Sequence, residues 1–267
     1  MAPLNQLTPR LDAAVDSALD EGFRSAPGEL RRIALSAVDR VRGPFPGLIA
    51  CAASRWCGSG PEAGLPAAVA AVFLEASLES HCSLPGFSGL FTDSNLAGEV
   101  GEADALLAGD ALIPLAQEHL ASNGGAHSTL LVRDAVRSLA GEGVLEGLSL
   151  ELDLAAGGRD GFSEGGPWHV HAGKLARFAS QGGARLAGAS PQMVDDASRI
   201  GLCVGLAMDI VQGSPYPSRG GRPKATSTAE ASVLLDEALG LIGNGPEGDL
   251  YRQLVDLVWG EDLFSGV

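Results

Sequence analysis

Cysteine is scarce in this sequence, and the few cysteines are scattered. Cys51, Cys57, Cys82 and Cys203 form neither the C-x-x-C pairs of a zinc site nor the density of a disulfide scaffold. They are expected to be reduced and mostly buried thiols. Positive charge is also in short supply: 18 Lys and Arg stand against 33 Asp and Glu, a net charge of −15. Such a surface repels phosphate backbones and anionic lipid, so neither nucleic acid nor a membrane surface is an expected partner. Long apolar runs are missing. Uncharged apolar stretches such as residues 43–54 and 64–74 fall far short of the ~20 apolar residues of a membrane span. Charge arrives early, at Arg10 and Asp12, with no apolar h-region before it. No secretory signal and a cytoplasmic location are therefore expected. No internal repeat of ~20–50 residues is visible, which argues against a solenoid.

What is present is a chain of 267 residues, 45% of them apolar, which excludes disorder as the main state and suffices for a large core. One domain spanning 1–267 is expected. The excess of acids suggests a carboxylate–metal site. Helical periodicity dominates: Val69, Val72, Phe73 and Ala76 fall at i, i+3, i+4 and i+7, as do Val132, Ala135, Val136 and Leu139, and Ile200, Cys203, Val204 and Ala207. Residues 148–154 alternate as a strand would, but in isolation. The pattern predicts an all-α protein with helices near 8–24, 27–42, 45–57, 64–82, 102–121, 124–140, 144–156, 167–187, 190–212, 228–243 and 247–260. Ala and Gly fill many helical positions, which lets helix axes approach closely. The segment 213–228, rich in Pro, Gly and Ser, carries Arg219, Arg222 and Lys224 and reads as a basic linker.

Residues 101–120 read GEADALLAGDALIPLAQEHL. This segment closely resembles the "GE…A.LLAGDALL..A.E.L" helix of the trans-prenyl diphosphate synthases. The resemblance extends in order along the chain. Residues 65–85 resemble the helix that ends in that family's first aspartate-rich motif. Residues 172–190 (AGKLARFASQGGARLAGAS) resemble "KTG.L...A...GA.LAGA", and 200–212 (IGLCVGLAMDIVQ) resemble the helix entering the second motif. The resemblance implies an isoprenoid-synthase-like single large helical bundle around a central cavity. It implies two facing aspartate-rich motifs that hold Mg²⁺ against an allylic diphosphate, with Lys and Arg clamping the diphosphates.

The departures from that pattern are systematic. For His-Asp-Asp-x-x-x-x-Asp the chain has His81-Cys82-Ser83 and then Ser88, so every expected aspartate is replaced and a soft thiol occupies one place. For Phe-Gln-x-x-Asp-Asp it has Met208-Asp209-Ile210-Val211-Gln212-Gly213, keeping one acid in the glutamine's place. The lysine of "KTG" falls on His171, and only Arg42 stands where the N-terminal diphosphate clamp would be. These positions are degenerate former active-site residues, with no catalytic residue and no bound magnesium or other metal expected. The adjacent pair Asp195-Asp196 follows Ser190-Pro191 and reads as helix-start chemistry.

The expected function is a prenyl diphosphate synthase homologue, catalytically inactive, acting as a small or regulatory subunit or scaffold of an active synthase. Its expected partners are a second copy or that active homologue, touching through the small-residue helices of 65–120. The alternative is a divergent prenyltransferase or an isoprenoid-binding protein using the cavity, for which Asp93, Glu99, Glu102 and Asp209 are the nearby acids.

Overall fold

The computed structural model describes residues 4–25, 28–41, 45–87, 95–140, 143–155, 173–212 and 224–259, and among them there is no strand. The helices are α1 (Leu4–Gly22), α2 (Gly28–Arg40), α3 (Gly47–Trp56), α4 (Leu65–Cys82), α5 (Leu96–Val100), α6 (Glu102–Asn123), α7 (Ser128–Leu139), α8 (Val144–Ala155), α9 (Lys174–Leu186), α10 (Pro191–Gln212), α11 (Lys224–Ile242) and α12 (Asp249–Trp259). Every helix expected from periodicity is present, with ends moved by a few residues. α5 was not anticipated, because five residues are too few to show a 3.6-residue period. The helix expected over 167–187 is corrected to start at Lys174. Gly173 precedes it with φ of 70°, a left-handed backbone that no continuing helix adopts.

α4 is the centre of the bundle. Its segment Leu-Pro-Ala-Ala-Val-Ala-Ala-Val-Phe-Leu is apolar on every side, as a helix surrounded by others must be, and Ala67 through Leu74 are all buried. A proline in its first turn fits where backbone N–H groups have no partner anyway. By length and composition residues Pro61–Cys82 could cross a membrane, yet 72% of the apolar window is buried inside the protein. Packing explains its apolarity. α4 lies along α6 and touches α2, α3 and α9, while α9 packs between α3 and α10, and α10 against α11.

Small residues set the spacing, as the composition implies. A Cβ at Gly183 of α9 would stand 2.0 Å from the carbonyl oxygen of Ala50 in α3, so those two backbones meet with nothing between them. Polar ties lock the same region. The fully buried Tyr251 of α12 shares a hydrogen bond with Ser180 of α9, whose hydroxyl donates to the Ala197 carbonyl of α10. Trp56 Nε1 of α3 donates to the Ile242 carbonyl at 3.1 Å, and its ring meets Tyr251 edge-on. At the start of α10, the Met193 N–H donates to Ser190 Oγ at 3.3 Å, and Asp196 accepts from Gln192. The helix-start reading of Ser190 therefore agrees with the geometry, whereas that of the paired aspartates is corrected: α10 begins at Pro191 with no acid in its first turn, and Asp195 and Asp196 lie one turn further along.

Candidate functional site

The candidate site lies where the C-terminal turns of α4 face the N-terminus of α9 and the end of α10. On α4, Glu75, Glu79 and Cys82 stand at i, i+4 and i+7 and share one face. Ser80 and His81 turn instead toward α6. Ser80 Oγ donates to the Ala105 carbonyl at 2.9 Å. The His81 ring lies against Gly109, where any Cβ would fall 2.4 Å from its Nε2. Nε2 stands 3.2 Å from Asp110 Oδ1, within ion-pair range but off the line of a hydrogen bond. The glycine of the diagnostic LAGDAL segment is thus needed for a helix–helix contact, and His81 is its counterpart.

Cys82 and Ser83 sit where the family's first two aspartates would be. Cys82 is 2% exposed, and burial, with the nearby Glu79 charge, pushes its thiol up to about 12. At neutral pH it is neither a thiolate nucleophile nor a hard-cation ligand. Ser83 is buried as well, and its hydroxyl is fully engaged. It donates to the Ser80 carbonyl at 2.7 Å and accepts from the Ala97 N–H at 3.2 Å, which ties the end of α4 to the first turn of α5.

Opposite them, Asp209 of α10 accepts a hydrogen bond from the Gly173 N–H at 3.1 Å. The surviving acid of the second motif therefore anchors the entrance of α9 and complements its dipole. Burial lifts its carboxyl to about 7, against the lowering effect of that N–H. Glu75 is raised well above the usual carboxylate range by burial, by Asp209 and by Glu79. Its Oε2 is shut off from water and has no hydrogen-bond partner among the described residues. The sequence reading missed Glu75 and Glu79; the available signal was two acids four residues apart on an otherwise apolar helix.

Of the other expected positions, Arg42, Ser88, His171 and Gly213 lie outside the described residues, as does Asp93. Gln212 ends α10. Glu99 is bound in an ion pair with Arg40, and Glu102 is an exposed residue in the first turn of α6. Magnesium asks for several ionised, hard oxygen ligands in octahedral order. The donors at the site are a protonated thiol, an occupied hydroxyl and the carboxyls of Glu75, Glu79 and Asp209, of which Glu75 and Asp209 resist ionisation, and the set does not fit that ion. No group of three His, Cys, Asp or Glu side chains is arranged for a metal among the described residues.

No family model matches the sequence. The chain is 30% identical over 178 residues to geranylgeranyl pyrophosphate synthase 7, chloroplastic, of Arabidopsis thaliana, a match covering 61% of this chain and 50% of that protein. The chain thus spans about half the length of the curated relative it matches. Its fold superposes on a FPP/GFPP synthase from Zymomonas mobilis with a TM-score of 0.77 at 20% identity, covering 95% of this chain and 98% of the other. It superposes equally on the geranyl diphosphate synthase small subunit of Antirrhinum majus, with a TM-score of 0.76 at 18% identity over 96% and 100% of the two chains. The resemblance and the all-helical fold read from the sequence are both borne out: these neighbours, by sequence and by structure, are prenyl diphosphate synthases.

Proposed function

From its likeness to the trans-prenyl diphosphate synthases, we propose that this chain is a member of that family and a catalytically inactive homologue serving as a small or regulatory subunit, or scaffold, of an active synthase. One observation carries the reading: at the first-motif positions, Ser83 spends its hydroxyl on helix packing and Cys82 keeps its proton. Allylic ionisation releases diphosphate charge that must be neutralised as it develops, and these groups supply nothing to do so. A relative by fold is itself described as a small subunit, which supports the same reading. Leu106 and Leu107 on α6 are 43% and 54% exposed, and we place the contact with the partner synthase, or with a second copy, around them.

Co-expression with an aspartate-complete synthase from the same genome should yield a mixed oligomer on size exclusion. The chain alone, given magnesium with allylic and isopentenyl diphosphates, should release no pyrophosphate above a blank. Separate elution, or robust turnover by the chain alone, would remove the proposal.

The second reading, an isoprenoid-binding role, gains support if the protein retains a prenyl alcohol through purification.

A further inference from the structure

A separate groove, of about 550 Å³, runs between α7 and α9 and holds none of the motif positions. Arg133 and Arg137 line it from α7, and Lys174, Arg177 and Arg185 from α9, with Asp134 as the one acid among its lining residues. Five of the chain's 18 cations thus face one groove of a protein whose net charge is −15. Among the four arginines the internal compensation is small. Arg185 Nε pairs with Asp134 Oδ2 at 3.0 Å, and Arg133 stands 3.5 Å from the same carboxylate. Arg177 Nε donates to Ser198 Oγ at 2.9 Å, which orients its guanidinium, while its terminal amines meet no acceptor among the described residues. Arg137 has no hydrogen-bond or ion-pair partner among them either.

The arrangement concentrates positive charge in one place. Lys174 and Arg177 occupy the first turn of α9, which carries no acid and where cations oppose the helix dipole. Like charges converging on one groove repel unless an anion lies between them. Lys174 and Arg185 are eleven positions apart on one helix, so the cations extend over about 16 Å, longer than one phosphate. Guanidinium forks match phosphate oxygens in pairs. Val136, 40% exposed, gives the lining some apolar surface, but its one aromatic side chain, Phe178, is 2% exposed, so the groove lacks the aromatic anchors by which protein segments are held. Its volume is that of a small-ligand site.

We infer that the groove between α7 and α9 binds a polyvalent phosphate anion, a diphosphate or a longer phosphate chain, at a site separate from the aspartate-motif positions. The inference does not depend on the subunit reading and stands if that reading fails.

Titration calorimetry of the full chain in EDTA, at about 0.1 M salt, tests it with inorganic pyrophosphate and tripolyphosphate as probes. Both should bind, the longer more tightly, with affinity falling as salt rises. Joint substitution Arg137→Glu and Arg177→Glu should weaken both by at least about tenfold, through two lost charge-assisted contacts. The milder pair Arg137→Gln and Arg177→Gln should act in the same direction and covers a misfolded double variant. Arg24→Glu, an exposed charge change outside the groove, should leave binding intact. Absence of heat with the native chain, undiminished binding in the substituted chains, or an equal loss in Arg24→Glu overturns the inference. A glutamate-rich peptide that bound more tightly than either probe would overturn the ligand class.

Discussion

Asp209→Asn should stabilise the protein, and should do so only when the pH is high enough. The unfolded chain ionises this carboxyl near 3.8, and the folded chain near 7. Between those values the folded state holds the extra proton, so stability falls as pH rises through the window and the full penalty is present above it. At 1.36 kcal/mol per pH decade that penalty is at most about 4 kcal/mol. Asp209 is only half-buried and water screens part of its charge, which reduces the figure to about 2 kcal/mol. Asparagine keeps a carbonyl oxygen to accept from the Gly173 N–H and has nothing to ionise. The gain should therefore be small at about pH 4.5 and reach about 2 kcal/mol at about pH 8.5, read from paired urea melts. A substituted protein that is less stable at high pH, or a difference that ignores pH, would refute the reasoning. Magnesium in the same melts should move neither midpoint. A shift in the native protein that Asp209→Asn abolishes would show that the donors accept the ion after all.

Other substitutions probe the packing that replaces the motif. Gly183→Ala drives a methyl into the Ala50 carbonyl, which belongs to backbone and cannot swing aside, so thermal melts should report a loss of about 3 kcal/mol or more. Gly109→Ala strikes the His81 ring, a side chain with some freedom, and should cost about 1–3 kcal/mol. Combined with His81→Ala, part of that cost should return in a double-mutant cycle; strict additivity would mean that the two residues do not press on each other. Ser83→Ala leaves the Ala97 N–H without an acceptor and should lose about 1–2 kcal/mol, whereas an unchanged melt would deny Ser83 its bridging role. Cys51 and Cys82, both pushed up to about 12 by burial, should resist a thiol reagent in the native protein at mildly alkaline pH and react once it is unfolded. Rapid native labelling would contradict their burial.

Much of this molecule is legible in one dimension, and particular residues show why. Ile200, Cys203, Val204 and Ala207 of α10 are all buried, and their spacing at i, i+3, i+4 and i+7 makes that helix readable in the sequence. Ser190 and Pro191 mark the start of α10, because capping is a contact between near neighbours in the chain. His81-Cys82-Ser83 announces by residue type alone that the expected carboxylates are absent. The use of those residues is another matter. Ser83 as a bridge to α5 could not be read, since Ala97 lies fourteen positions away in a helix too short to announce itself.

The sequence by itself determined the helical order, the family likeness and the loss of aspartates, all of which depend on residue type and local spacing. Only the tertiary structure decided which acids and which cations act together. Glu75 feels the charge of Asp209 across 134 positions of chain, and burial between helices, not residue type, raises both carboxyls. Arg133 and Arg185 are scattered letters in a sequence short of positive charge. They become one groove because α7 packs against α9, and electrostatic potential adds by distance through space and not by distance along the chain.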